Sequence, residues 1–330
     1  MIIPAENHSN GLAGRMAIRS PKIAVAIPCF NEAISISEVI AGFCKKLPDA
    51  QIYVYDNNST DDTARLAAEA GAIVCLEEKQ GKGNVIRRIF SDIETDILII
   101  VDGDSTYDPE AAPMLVKCLV EKQLDMVIAT RLESEGRGAF RSGHRFGNKL
   151  LTASVNKLFK ADLTDILSGY RVLSRRFIKS FPALSTGFET ETELTIHALE
   201  LRLPIKEVET HYRERPQGSH SKLKTYRDGL RILTTILKLV REAKPVFFYG
   251  FMAGLLAISS VCLAWPLLIV YIETGLVPRI PTALLSMGLM LLAFLSATCG
   301  LILENVSRGR WEQKRMAYLA YSAPTWKSNP

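Results

Sequence analysis

Several signatures are missing from this sequence. There is no G-x-G-x-x-G, which argues against a dinucleotide fold of the NAD type. There is no G-x-x-x-x-G-K-[S/T] either, which excludes a P-loop. The six cysteines (Cys29, Cys44, Cys75, Cys118, Cys262 and Cys299) never fall in a C-x-x-C spacing. They are expected to be reduced, mostly buried thiols, neither zinc ligands nor disulfides. No DNA- or RNA-binding motif accompanies the positive charge, so nucleic acid is a poor fit as partner. No signal-peptide pattern opens the chain, and residues 1–20 are polar and expected to be loose.

Charge itself is absent from two long stretches, Val246 to Ile272 and Ile280 to Leu303. Each exceeds the roughly 20 residues that span a bilayer. They account for a mean hydropathy of +0.11 in a chain that is 23% charged. The short linker Glu273 to Arg279 contains Gly275 and Pro278, so the pair reads as a helical hairpin. Lys238, Arg241 and Lys244 precede it, and Arg308, Arg310, Lys314 and Arg315 follow it. The positive-inside rule therefore puts both ends in the cytoplasm. Residues 202–244 carry 11 Lys and Arg against 5 Asp and Glu, a surplus above the whole chain's +5. A basic face beside the membrane favours anionic headgroups or a lipid phosphate. Within it, Leu223, Tyr226, Leu230, Leu233, Leu237 and Val240 recur at helical steps. This predicts an amphipathic helix in the membrane interface, or one packed on a neighbouring subunit.

The run Ile97-Leu98-Ile99-Ile100-Val101 is continuously apolar, as in a strand buried on both faces. It ends in Asp102-Gly103-Asp104. Two acids one residue apart at the carboxyl end of a buried strand sit where ligands bind in open α/β sheets. The glycine is expected to let the backbone turn tightly, so that both carboxylates reach one hard cation, Mg²⁺ or Mn²⁺, on a substrate diphosphate. An Asp-Gly turn after a strand also has a purely structural reading.

Around this strand, strand and helix patterns alternate. Strands are predicted at Ile23–Pro28, Gln51–Tyr55, Ala72–Leu76, Met126–Thr130 and Ile205–Thr210. Helices are predicted at Ala33–Leu47, Thr63–Ala70, from Gly81, near Pro109–Glu121, Arg145–Phe159 and up to Leu201. The Arg145–Phe159 helix is equally suited to the membrane surface and to packing on the sheet. This alternation predicts an α/β fold with a doubly wound sheet covered on both faces, its functional loops at the strands' carboxyl ends.

Five pieces, Ile27-Pro28-Cys29-Phe30-Asn31-Glu32, Asp56 to Asp62, Gly81-Lys82-Gly83-Asn84, Asp102-Gly103-Asp104 and Asp165 to Arg171, occur in an order and spacing that resembles the family-2 inverting glycosyltransferases of GT-A fold. With the hydrophobic hairpin, residues 22–310 look like the polyprenyl-phosphate glycosyltransferases, such as dolichyl-phosphate mannose synthases and bacterial undecaprenyl-phosphate glucosyltransferases. The resemblance implies a GT-A-type mixed sheet followed by interfacial helices and a two-helix hairpin. It implies that Pro28 and Glu32 line the nucleoside, that Asp56 accepts hydrogen bonds from the base, and that Lys82 faces the nucleotide. Asp102 and Asp104 would hold the metal. Thr106 stands where close relatives often have a third ligand, leaving water to complete the shell.

Catalytic roles are implied for Asp104, Arg131 and Asp165. The acceptor phosphate is already anionic, so Asp165 is expected to orient substrate more than to act as a base. Arg131 begins a Gly- and Arg-rich loop that extends to Arg145 and could close over phosphates. Arg171 is expected to pair with an acid or to touch phosphate. Glu191 is the candidate for sugar binding. Arg213, Arg215, Ser221 and Lys222, in a segment similar to the family's Arg-x-x-Gly-x-Ser-Lys loop, are suited to phosphate oxygens.

The expected division is a loose segment over 1–20, a catalytic domain over 21–220, a juxtamembrane helix over 221–244, two spans over 245–304 and a cytoplasmic tail over 305–330. The expected activity is inverting transfer of a hexose from a nucleotide diphosphate sugar, such as UDP-glucose or UDP-N-acetylglucosamine, to a polyprenyl phosphate on the cytoplasmic leaflet of an inner membrane. The enzyme is expected to be a homo-oligomer, by resemblance a tetramer. A processive polysaccharide synthase or an inactive membrane scaffold are the alternatives. The only Arg-Trp pair, Arg310-Trp311, lies after the second hydrophobic stretch, and the scaffold would have no need of intact Asp102 and Asp104.

Overall fold

The computed structural model describes residues 20–133, 142–185, 187, 189–213, 234 and 236–323. The catalytic unit runs β1 (Ile23–Cys29), α1 (Ile36–Lys46), β2 (Gln51–Asp56), α2 (Thr63–Glu69), β3 (Ile73–Leu76), α3 (Lys82–Asp92) and β4 (Ile97–Ile100). After a single 3₁₀ turn at Pro109–Ala111 come α4 (Ala112–Glu121), β5 (Met126–Glu133), α5 (Ser142–Phe159), β6 (Arg171–Ser174), α6 (Arg175–Ser180), α7 (Thr190–Glu200) and β7 (Ile205–Tyr212).

The seven strands form one sheet in the order β3-β2-β1-β4-β6-β5-β7. Alternation along the strands divides the core in two. Val25, Ile27, Ile97, Ile99 and Val127 face α1, α2 and α4, with Phe43 and Leu115 filling that side. Ala24, Ala26, Leu98, Ile100 and Met126 face α3, α6 and α7, where Ile86, Ile89, Phe177 and Leu194 meet them. Strands buried on both faces need apolar residues at every position, hence the unbroken runs in the sequence.

β1, β2, β3 and β4 are mutually parallel, and β6 runs antiparallel between β4 and β5. β5 and β7 are parallel to each other. Consequently β1, β2, β4, β5 and β7 all end at one edge, and β6 begins there. The predicted fold class holds. β6 and α6 were not among the predicted elements, because β6 has only four residues and carries the charged Arg171.

The last two helices among the described residues are α8 (Pro245–Thr274) and α9 (Ile280–Leu319), both long and apolar enough to cross a membrane. Gly275 caps α8 in the left-handed region, φ 69°, and its N–H donates to Tyr271 O at 2.8 Å. Along the seam Ser260 Oγ donates to Ser286 O at 2.6 Å and Ser296 Oγ to Tyr249 O at 3.0 Å. Apolar side chains such as Phe247, Ile258, Trp265 and Phe294 point outward.

One expectation, that the cysteines are mostly buried, is corrected, and two others gain detail. In the segment expected as a cytoplasmic tail, α9 continues as helix to Leu319, and its end packs on the catalytic unit. The six cysteines are free, but only Cys29 is buried, while Cys44, Cys262 and Cys299 are exposed. The helix α5 packs inward, Leu151 and Val155 joining Leu163, Ile166 and Leu239 in a third cluster. The expected N-terminal segment, the basic loop over 134–141, most of the juxtamembrane helix over 221–244 and the last residues 324–330 lie outside the described residues.

Candidate active site

β4 is buried at every position and delivers Asp102-Gly103-Asp104 to the edge where the parallel strands end. The tight turn falls on Ser105, φ 59°, and not on Gly103. Gly103 is needed for closeness instead: a Cβ there would sit 2.6 Å from Cys29 Sγ on β1. Ser35 Oγ, at the start of α1, holds the Gly103 carbonyl at 2.7 Å. The Asp104 carboxylate accepts from the Thr106 hydroxyl at 2.5 Å and from its N–H at 3.2 Å. Thr106 thus turns its oxygen onto Asp104, as an orienting group rather than a third ligand.

Asp102 faces Lys82, whose Nζ lies 2.5 Å from Asp102 Oδ1 and 2.5 Å from Glu191 Oε1 on α7. Residues far apart in sequence meet here because α3 and α7 share one face of the sheet. Burial alone would lower the Lys82 ammonium, but the two carboxylates more than offset this and hold it above its ordinary value. Asn57 builds the approach. Its Nδ2 donates to Glu77 O at 3.0 Å and Lys79 O at 2.8 Å, and its Oδ1 accepts from Gly81 N at 2.7 Å. This one amide fixes the turn that launches α3, with Gly81 at φ 129°. A small pocket opens beside Lys82, Ile100, Gly169, Arg171, Thr190 and Glu191.

The loops after β1 and β2 lock together. Asn31 N donates to Ser59 Oγ at 2.9 Å, Thr60 N to Asn31 Oδ1 at 2.8 Å, and Glu32 N to Thr63 Oγ1 at 2.9 Å. Asp56 is buried and accepts from the Ser59 hydroxyl and, at 3.2 Å, from Ser59 N. A carboxylate has about four lone-pair sites, so acceptor capacity remains. Pro28 is half-buried, in register with Tyr55 on β2.

Arg131, near the end of β5, meets Asp165 in a fork: Nε to Oδ2 and Nη2 to Oδ1, both 2.7 Å. Asn148 adds a bond of 3.2 Å to Oδ1. Burial would push Asp165 up, but the Arg131 guanidinium and Asn148 outweigh it and hold the carboxyl below its usual range. Glu207 on β7 accepts from the backbone N–H groups of Thr164 and Asp165, the latter at 3.0 Å. Arg171, 1% exposed, makes no ion pair with an acid among the described residues. Its guanidinium donates to Ile166 O at 2.7 Å, Ser168 O at 3.0 Å and Thr195 Oγ1 at 3.0 Å, bracing the segment behind Asp165. Burial lowers it to about 10.

The two clusters adjoin through glycine and tyrosine. A Cβ on Gly169 would stand 2.3 Å from Asp102 Oδ2, and Gly169 N donates to Tyr107 OH at 2.8 Å. The Tyr107 ring packs edge-on to Tyr212, centroids 5.3 Å apart, and Arg131 lies 5.6 Å from the centre of the Tyr212 ring. Arg213 follows directly: its N–H donates to Thr106 O at 2.8 Å, and its guanidinium reaches Asp108 at 3.4 Å. Asn57, Tyr107 and Glu207 were not among the predicted site residues. Asn57 stood inside a polar run with nothing to separate it from its neighbours. Arg215, Ser221 and Lys222 lie outside the described residues.

Asp102 and Asp104 offer hard carboxylate oxygens. Among the described residues no group of three or more His, Cys, Asp or Glu converges on one point. The donor set therefore fits a Mg²⁺ or Mn²⁺ that takes its remaining oxygens from a diphosphate and water, and does not fit a closed all-protein site. Trp311 of the Arg310-Trp311 pair is remote from this edge, its indole N–H bonded to Glu200 O at the end of α7.

An open mixed sheet of this order, with acids gathered where its parallel strands end, is the GT-A architecture of glycosyltransferases. Residues 24–181 match the Glycosyl transferase family 2 profile. Glycosyltransferase AglJ of Haloferax volcanii is 32% identical over 229 residues, covering 69% of this chain and 75% of that protein. The chain belongs to this family, and it is a glycosyltransferase. It is also similar to Protein RfbJ of Shigella flexneri, 51% identical over 123 residues, covering 37% of this chain and 95% of RfbJ. Among solved structures, glucosyl-3-phosphoglycerate synthase from Mycobacterium tuberculosis, in complex with Mn²⁺, UDP-glucose and phosphoglyceric acid, superposes with a TM-score of 0.55. It is 25% identical, over 68% of this chain and 80% of that one.

Proposed function

We propose that this enzyme transfers a hexose from a UDP-sugar to a polyprenyl phosphate at the cytoplasmic face of a bacterial inner membrane, with inversion at the anomeric carbon. The observation that carries this reading is the meeting of Asp102, Lys82 and Glu191 at the carboxyl edge of the sheet, in a chain that also has two helices apolar enough to span a bilayer. The solved relative that holds Mn²⁺ with UDP-glucose supports the donor class and the metal.

Pro28, Glu32 and Asp56 receive the nucleoside. Lys82, with its own charge buried beside Asp102, faces the diphosphate, and Glu191 takes sugar hydroxyls. Asp102 and Asp104 would hold Mg²⁺ or Mn²⁺, which would supply charge neutralisation to the leaving nucleoside diphosphate. Arg131 presents the acceptor phosphate while Asp165 holds the guanidinium oriented. The acceptor oxygen is anionic near neutral pH, so positioning and electrostatic stabilisation supply most of the rate, and Asp165 removes no proton. Arg213, with Arg215, Ser221 and Lys222, completes the phosphate grip. α8 and α9 anchor the enzyme, and the basic segment before them favours the anionic leaflet.

The test is direct. Membranes containing the protein are incubated with undecaprenyl phosphate and radiolabelled UDP-glucose, UDP-N-acetylglucosamine or GDP-mannose. Label from a UDP-sugar enters the lipid fraction under this reading. Label that enters only polymer, or only from GDP-mannose, contradicts it.

A further inference from the structure

The polar end of α9 lies against the sheet edge opposite the candidate active site. Asp125, just before β5, is fully buried at 0% exposure. Its carboxylate accepts from Ser174 Oγ at 2.6 Å, from Arg176 Nε at 3.1 Å and Nη2 at 3.2 Å, and from Tyr318 OH at 2.7 Å. The last donor comes from α9. The Tyr318 ring, itself 6% exposed, is flanked by Arg176 at 4.6 Å and Arg315 at 5.3 Å from its centre. One turn and two turns earlier, Lys314 Nζ meets Glu200 at 2.7 Å and Trp311 Nε1 donates to Glu200 O at 2.5 Å. Arg315 also donates to Leu201 O at 3.3 Å.

A buried carboxylate is costly unless its oxygens are hydrogen-bonded. Undocking α9 would strip Asp125 of a donor and expose an aromatic ring that two cations cover. The apolar hairpin and the catalytic unit are therefore joined through a single rigid helix bolted at its far end, as well as through the chain that precedes α8.

We propose that Tyr318 is a positioning residue: by closing on Asp125 it fixes the catalytic unit at one attitude to the hairpin, so that a membrane-held acceptor phosphate reaches the carboxyl edge. This rests on the polyprenyl phosphate reading above. A soluble acceptor, free to diffuse to the site, has no need of that attitude.

The full-length protein in lipid vesicles tests this, as wild type, Tyr318→Phe and Tyr318→Ala. In Tyr318→Phe, amide hydrogen exchange over residues 311–321 rises about tenfold, the size expected for losing one hydrogen bond to a charged group. KM for a long-chain polyprenyl phosphate embedded in the vesicle rises several-fold. KM for the UDP-sugar and for a water-soluble short-chain polyprenyl phosphate stays unchanged, and Tyr318→Ala exaggerates the split. Unchanged exchange overturns the proposal, and so does a rise in KM that is equal for both acceptors. A general loss of folding is recognised by a changed KM for the UDP-sugar. A wild-type protein that labels neither acceptor defeats the acceptor reading instead, and the exchange rates alone then decide whether Tyr318 fixes the domain.

Discussion

The Arg131 guanidinium and the Asp165 carboxylate meet through two parallel hydrogen bonds of 2.7 Å, both side chains almost out of solvent. Such a pair orients well and deprotonates poorly, since the carboxylate's basicity is already engaged. Removing one partner leaves an uncompensated buried charge. Asp165→Asn and Arg131→Met should each destabilise the fold by about 3 kcal/mol, and the double variant by little more than either alone. Thermal unfolding of the four proteins in detergent measures the cycle. Additive losses would show that the pair is not coupled.

Lys82 places one ammonium between two carboxylates. Its loss leaves Asp102 and Glu191 facing each other without a cation and removes a charge from the nucleotide side. Calorimetric titration of UDP at saturating Mn²⁺ should show affinity falling about tenfold or more in Lys82→Ala, the scale of one charge-assisted hydrogen bond. Lys82→Arg should lose less. Equal affinities in wild type and Lys82→Ala would remove Lys82 from the site.

Gly169 leaves no room for a side chain, because its Cβ would overlap Asp102 Oδ2. The end of a flexible carboxylate can yield, so Gly169→Ala should keep the fold and displace Asp102. Mn²⁺-dependent UDP binding should weaken while the melting temperature shifts by only a few degrees. An unaltered affinity would mean that Asp102 does not act from the position it holds here.

His197 is buried among Phe177 and Phe181, with Ser180 Oγ 3.0 Å from Nε2. Burial, and then the Lys314 charge, push its imidazole down from 6.5 to about 3. Above pH 6.5 the ring is neutral folded or unfolded and costs nothing. As pH falls from 6.5 to 3 the unfolded chain takes up a proton that the folded one refuses, so stability drops. His197→Gln should flatten this part of the stability-pH curve, and a wild-type curve already flat from pH 6.5 to 4 would contradict the assignment.

Much of the fold was readable because both sheet faces are covered, which leaves apolar runs such as Ile97 to Val101. The acids at their ends were readable for the same reason: polarity begins where burial stops. β6 was hidden by Arg171, whose charge is satisfied by the carbonyls of Ile166 and Ser168, contacts that no local pattern announces. The docked end of α9 was hidden because Trp311, Lys314 and Tyr318 find partners at Glu200 and Asp125, more than a hundred residues away. Lys82, Asp102 and Glu191 were each singled out, but their meeting depends on α3 and α7 sharing a face. The sequence suggests Gly103 as a turn residue; its use is the close approach to Cys29, which only the packing of β1 beside β4 creates.

The most direct measurement of the central claim is electron paramagnetic resonance of Mn²⁺ titrated into the purified protein with and without UDP, in wild type and in Asp104→Asn. We expect one bound Mn²⁺ per chain that requires UDP in the wild type and is lost in the variant. Retention of that site in Asp104→Asn, or the absence of any UDP-dependent Mn²⁺ in the wild type, would contradict a nucleotide-sugar centre built on Asp102 and Asp104.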